Sequence, residues 1–175
     1  MTKIGLGGSC HWCTEAVFQA VEGVEKVEQG WIASVGIYTE FSEAVIVHFK
    51  EECISLNTLI KIHLHSHSCT ANHPMRQKYR SAIYTFSKRQ AERAAQILGV
   101  LQKDFDLPFI TKVLPFHTFK ENQESYLDYY KKNPEKPFCQ RYIEPKLQLS
   151  KIFYATTFIL PKSYKLFCLT QYFSR

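Results

Sequence analysis

The spacing of apolar and polar residues along this 175-residue chain changes period several times, and each change marks an element. "KIGLG" (3–7) is a short apolar run closed by glycines, the pattern of a buried strand. Ser9 then stands at the N-cap position of a helix expected from Cys10 to Val21, with Gly23 placed to end it. "VEKVEQGWIAS" (24–34) and "EAVIVHF" (43–49) read as strands, the second rich in β-branched residues. "SLNTLIKIHLHSH" (55–67) puts Leu56, Leu59, Ile60 and His63 on one helical face. "RSAIYTF" (80–86) is a further strand. Ser87 and Gln90 form a Ser-x-x-Gln capping box before an amphipathic helix whose Ala91, Ala94, Ala95, Leu98, Leu101 and Phe105 keep helical spacing. "FITKVLPF" (109–116) predicts another strand, and "ENQESYLDYYKKN" (121–133) a last helix stopped by Pro134.

Alternating strands and helices with one adjacent strand pair predict an α/β (α+β) fold, a two-layer sandwich with a ferredoxin-like mixed sheet and helices packed on it. The length suits one domain, placed at residues 1–147. Residues 148–175 keep no clean period and read as an appended basic, aromatic-rich tail.

Charge and composition narrow the function. The net charge is +6, but Lys146, Lys151, Lys162, Lys165 and Arg175 supply five of these charges with no acid after residue 144. A near-neutral body with a basic tail is not the clustered basic face of a nucleic-acid binder. The longest apolar stretch, "IFYATTFIL" (152–160), is far short of the ~20 residues a spanning helix needs. The N-terminus has no long apolar segment of a secretory signal. A cytoplasmic monomer follows, with no membrane or nucleic-acid partner, and its six cysteines are expected to be reduced, catalytic or metal-bound.

The chemistry concentrates in "GLGGSCHWCTEAVF" (5–18). Cys10 falls in the first turn of a helix, where free backbone N–H groups and the helix dipole favour a thiolate. A small buried residue at a tight turn is the plainer reading of the same position. Cys10 and Cys13 also form a C-x-x-C pair, which fits a redox couple or half a zinc site. "HLHSHSC" places His63, His65, His67 and Cys69 within seven residues, as a solvated helix cap or as the other half of a Cys/His metal-binding module.

These residues resemble the A-type peptide methionine sulfoxide reductases. That family carries a glycine-rich turn, then Cys-Phe-Trp-Cys and Glu at a helix start, matched by "GGSCHWCTEAVF". Its His-Ala-Glu-Ala-Val strand is matched by "FSEAVIVHF", and its Gln-Tyr-Arg-Ser-Ala-Ile-Tyr strand by "KYRSAIY". "YYKKNPEKPFC" is similar to its late Tyr-x-x-Lys-Asn-Pro-x-x-Tyr-Cys segment. The four motifs keep the family's order over about residues 3–145.

The resemblance implies a thiol-dependent reduction of methionine S-sulfoxide, free or in proteins, and so repair of oxidised proteins. Cys10 would be the nucleophile, Glu43 the buried proton source, and Tyr79 one of two tyrosines holding the sulfoxide oxygen. Cys139 would recycle Cys10, with Cys168 and Cys13 as alternatives. Trp12 would pack on the substrate methyl group. Thioredoxin, or dithiothreitol in its place, would be the external reductant, with no cofactor and no metal. The chain departs from the family at His11 (phenylalanine there), Pro74 (aspartate), Arg76 (glycine) and Tyr126 (histidine), and its 31–43 segment is short. Tyr38 is the candidate for the second tyrosine. His11 is expected to be held protonated by the neighbouring thiolate, and Cys139 to lie on a mobile segment. The altered pocket rim also admits a catalytically weak or inactive binding protein on the same fold.

Overall fold

The computed structural model describes residues 1–157, with side chains to Lys151. Its first six elements are β1 (Thr2–Gly7), α1 (His11–Gln19), β2 (Val24–Ala33), β3 (Ser42–Phe49), α2 (Leu56–Ser66) and β4 (Ala82–Thr85). Strands β4, β1, β3 and β2 lie side by side in that order, each pair antiparallel, which is the ferredoxin-like arrangement expected from the sequence. Helix α3 (Lys88–Leu101) then leads to β5 (Lys112–Pro115), which extends the sheet parallel to β4 and makes it mixed. Strand β6 (Thr118–Glu121) returns across the molecule to pair with β2 at the other edge.

Alternation along the strands divides the core. Val45 and Val47 of β3 join Ile4, Leu6 and Ile83 on one face, under Val17 and Phe18 of α1 and Leu59 and Ile60 of α2. Ala44 and Ile46 point the other way, where Ile32, Ala82, Tyr84 and Leu114 form a smaller cluster edged by Tyr38, Phe86, Phe116 and Phe119. The cap expected at Ser87 forms as the sequence predicts, with one change of partner. Ser87 Oγ accepts from Gln90 N at 3.2 Å, but Gln90 Oε1 reaches past Ser87 to accept from Phe86 N at 2.8 Å. Each such cap stabilises its helix by about 1 kcal/mol.

Two expectations fail in the C-terminal third. The helix expected over 121–133 is only a single helical turn, α4 (Tyr129–Lys132), preceded by β6 and a short 3-10 turn. Asp128 interrupts it in the left-handed conformation, φ 55°, where its N–H is given to Glu15 at 3.2 Å. Conversely, residues 139–143 form a π-helical turn that runs on into α5 (Glu144–Thr157), so the helix passes through residue 148. Cys168 and the rest of the tail from residue 158 lie outside the described residues.

Candidate active site

The β1–α1 connection builds the site. Cys10 is half-buried and occupies the N-cap of α1, one residue later than expected, and its carbonyl accepts from Cys13 N and Thr14 N at 3.1 Å each. Gly8 lets this turn close: with φ 156°, a Cβ there would lie 2.4 Å from the His67 ring. His67 holds the floor, contacting the His63 carbonyl and Ser81 Oγ at 2.7 Å each.

Cys10 is an acidified thiol. The Cys13 thiol hydrogen-bonds its sulfur and lowers its pKa, the Trp12 and Cys13 N–H groups act the same way, and burial and the Glu43 charge partly oppose them. Cys13 shows the complement: giving its proton to Cys10 and being buried, it is pushed well up. The two shifts run in opposite directions, so Cys10 gives up its proton before Cys13 does. Cys13 was expected to be structural, with recycling of Cys10 only as an alternative; its effect on the Cys10 thiol gives it a place beside the chemistry.

Glu43 opens β3 on the helix-covered face and is only 4% exposed, so it is not a solvated strand end. One carboxylate oxygen accepts from His11 N at 3.0 Å and lies 3.2 Å from His11 Nδ1. The other is 3.3 Å from the Lys78 ammonium. Tyr79 joins this group through Lys78, whose ammonium sits 5.2 Å from the tyrosine ring centre. Pairing with the Tyr79 and Glu43 side chains raises the Lys78 pKa. Lys78 was missed in the sequence; it stands where the family motif has glutamine, and that departure is the signal that could have found it.

His11 departs from expectation. Its ring lies between Trp12 and Trp31, with ring centres at 5.9 and 5.8 Å, and faces Glu43. Burial lowers its pKa against the opposing pull of Glu43, so the ring is neutral at neutral pH. Asn122 Nδ2 lies 3.4 Å from both ring nitrogens and donates to Gln29 Oε1 at 2.7 Å. Gln29 in turn donates to Glu15 at 2.8 Å, and burial raises the Glu15 pKa. This chain of amides ties α1, β2 and the segment after β6 together behind the site. Trp31 and Asn122, joined by an indole N–H bond of 2.9 Å, were missed because they come from strand-end positions with no local motif.

Trp12 stacks on Tyr129 at 4.1 Å with Phe138 edge-on at 5.7 Å, an aromatic wall beside Cys10. A pocket of about 380 Å³ lined by Trp31, Glu40, Phe41, Pro74, Met75 and Lys78 adjoins the Glu43 group, since Trp31 touches His11 and Lys78 pairs with Glu43.

Two expected members lie elsewhere. Tyr38 packs on the opposite sheet face, against the Ile32–Tyr84 cluster and under the Arg80 guanidinium at 5.3 Å. It does not stand in for a second tyrosine, because Ser42 rather than Glu43 faces its side of the strand. Cys139 is not on a loose segment: it is fully buried in the main core at the start of the π-helical turn. Its neighbourhood is that of Cys13, which feels its charge and whose thiol lies 4.0 Å from the Tyr142 carbonyl. Cys10, Cys13, Cys69 and Cys139 are free thiols.

The histidine run disperses. His63 is buried and His67 half-buried with their ring centres 4.3 Å apart, and His65 packs on Phe105 at 4.7 Å, so the run is not a solvated cap. Among the described residues no group of three or more His, Cys, Asp or Glu is placed to hold a metal ion. Nor is any described helix long and apolar enough to cross a membrane.

A cysteine of lowered pKa at a helix start, near a buried carboxylate and a tryptophan wall, is set out in the order of four sulfoxide-reductase motifs. The family model for peptide methionine sulfoxide reductase matches residues 2–156. The chain belongs to this family. Peptide methionine sulfoxide reductase MsrA of Acinetobacter baumannii (strain AYE) is 32% identical over 161 residues, covering 84% of this chain and 92% of that protein. The MsrA of Psychrobacter sp. (strain PRwf-1) is 34% identical over 163 residues, covering 84% and 93%. Among solved structures, reduced Mxr1 from Saccharomyces cerevisiae superposes with a TM-score of 0.69 at 22% identity, covering 79% of this chain and 88% of that one. Mxr1 in complex with Trx2 superposes at 0.55 and 17% identity, covering 70% and 81%. As a methionine sulfoxide reductase of the MsrA type, the protein is an oxidoreductase, and the geometry around Cys10 can be read in that light.

Proposed function

We propose that the protein reduces methionine S-sulfoxide, free or within oxidised proteins, through the Cys10 thiolate. The observation that carries this reading is the joint placement of an acidified Cys10 and a buried Glu43, the latter fixed by the His11 N–H at 3.0 Å. A sulfoxide sulfur is a weak electrophile until its oxygen gains a proton. The Glu43–Lys78 pair, 3.3 Å apart, is the proton store beside the thiolate, and Tyr79 lies next to Lys78 to steady the same oxygen. The substrate enters by the pocket at Trp31 and Lys78, with its methyl group toward Trp12.

Cys10 attacks the sulfoxide sulfur, the oxygen takes the proton, and the oxygen ends on the cysteine. The thioether is released, reduced by two electrons, and Cys10 is left as a sulfenic acid. A second thiol condenses with it, expelling water and forming a disulfide. Contact with Cys10 makes Cys13 the first partner, and Cys139, beside Cys13, receives the bridge by thiol–disulfide exchange. An external dithiol reopens it; the structural kinship to Mxr1, seen with Trx2, supports thioredoxin in that part. Dithiothreitol would replace it in the tube. This cycle calls on no metal or organic cofactor, and the protein works as a monomer in the cytoplasm.

The test is a single turnover. Reduced protein, freed of small thiols and given N-acetylmethionine S-sulfoxide, forms methionine in proportion to enzyme and loses two thiols for each. Absence of any methionine contradicts the reading.

A further inference from the structure

A second cavity, of about 630 Å³, lies at the beginning of β4 and β5. Tyr38, Arg76, Arg80 and Lys112 line it with Asn72 and Thr111, so three cations face it, and among the described residues no carboxylate does.

Arg80 is the informative residue. It is only 9% exposed, yet among the described residues no acid pairs with it. Its Nη1 donates to the Tyr38 carbonyl at 3.3 Å and the Tyr84 hydroxyl at 3.4 Å, both long, and Nη2 donates to the Glu40 carbonyl at 3.0 Å. Neutral dipoles alone thus hold a buried guanidinium, an arrangement that costs free energy unless an anion completes it. Lys112 is exposed at the cavity and lies 5.9 Å from the Tyr38 ring centre, with Arg80 at 5.3 Å from the same ring. The two charges therefore stand around one aromatic side chain. Arg76 is committed differently, donating to the carbonyls of Ser68, Ala71, Gly8 and Tyr79, and contributes charge rather than free N–H groups.

We propose that this cavity is a binding site for a phosphate-class oxyanion, held between the Arg80 guanidinium and the Lys112 ammonium beside Tyr38. Two spare cations match a group that carries about −1.5 to −2 charge at neutral pH better than they match a monovalent carboxylate. The cavity exceeds the size of phosphate itself, so the anion is either free phosphate or the phosphoryl end of a small organic molecule.

Calorimetric titration of the reduced full chain, at fixed ionic strength, separates these. Inorganic phosphate, glycerol 3-phosphate and acetate are the three probes. Saturable one-site binding of phosphate or of glycerol 3-phosphate, with acetate giving none, is the expected result, and the tighter of the two names the source. Lys112→Ala weakens it about tenfold or more, as removal of one charge-assisted bond should. Arg80→Met removes it in protein whose circular dichroism is unchanged; should that variant unfold, Lys112→Ala decides. No saturable binding of either phosphate, equal binding of acetate, or unchanged binding in Lys112→Ala overturns the proposal. The readout is binding alone, so it stands or falls apart from the sulfoxide chemistry.

Discussion

Lys78 places its ammonium 3.3 Å from the buried carboxylate of Glu43, where the family motif has an uncharged glutamine. In the proposed mechanism the cation and the carboxylate share the task of bringing a proton to the sulfoxide oxygen. Glu43→Gln removes the acid and is expected to lower kcat/KM by at least about a hundredfold. Lys78→Met leaves Glu43 buried with a lost partner and lowers it about tenfold, while Lys78→Arg keeps most activity. Steady-state rates with dithiothreitol check both; full activity in Glu43→Gln would remove it from the chemistry.

Cys13 acidifies Cys10. In Cys13→Ala the pH at which Cys10 becomes alkylated moves upward, and its alkylation rate at neutral pH falls on the order of tenfold, because one hydrogen bond to the thiolate is gone. Iodoacetamide labelling followed by mass spectrometry reads this directly. The same variant still forms methionine in a single turnover but no longer forms the first disulfide. Cys139→Ser keeps that turnover and the Cys10–Cys13 bridge, and loses thioredoxin-driven cycling. Cys10→Ser loses everything, since a serine alcohol there lacks a base to activate it.

His11 is neutral in the working range, so activity carries no inflection from it near neutral pH. His11→Phe removes the ring contact to Glu43 but keeps the backbone N–H bond of 3.0 Å. The expected change in kcat/KM is under about tenfold, with the shape of the pH profile kept. A flattened profile would mean that His11 titrates during catalysis.

Acid stability follows from the buried histidines under the Cys10 turn. Burial depresses the pKa of His67 from 6.5 to about 4 and that of His63 well below 6.5. Unfolded histidine takes up a proton as pH falls through its ordinary value, and folded His67 does so only near 4. Stability is therefore present above pH 6.5 and is lost as pH falls toward 4, by about 3 kcal/mol for His67 alone. Urea unfolding across this range should show the decline, and His67→Gln should make it shallower.

Local patterns carried the first six elements because each is settled within its own window. Val45 and Val47 alternate with Ala44 and Ile46, and Ser87 and Gln90 sit where a helix must begin. Strand β6 was invisible because "TFKE" is ordered by pairing with β2, from Gly30 to Ala33, and not by its own pattern. The break at Asp128 depends on Glu15, far away in sequence, and no window spans that bond. In the site, the Glu43 charge acts on Cys10, Trp12 follows Cys10 on α1, and Tyr79 meets this group through Lys78. Tyr38 was misplaced for want of a register: one step along β3 exchanges the face of Glu43 for that of Ser42. The contact of Cys13 with Cys10 was hidden because C-x-x-C spacing alone does not say which thiol keeps its proton.

In the proposed reaction Cys10 and Glu43 together reduce one epimer of methionine sulfoxide. Wild-type protein is incubated with methionine S-sulfoxide and methionine R-sulfoxide in the presence of dithiothreitol, and the products are resolved on a chiral column. Consumption of the S epimer alone, with methionine appearing in equal amount, is the predicted result. Consumption of neither would make the protein a binder on a reductase fold, and consumption of both would contradict the pocket between Trp12, Glu43 and Lys78.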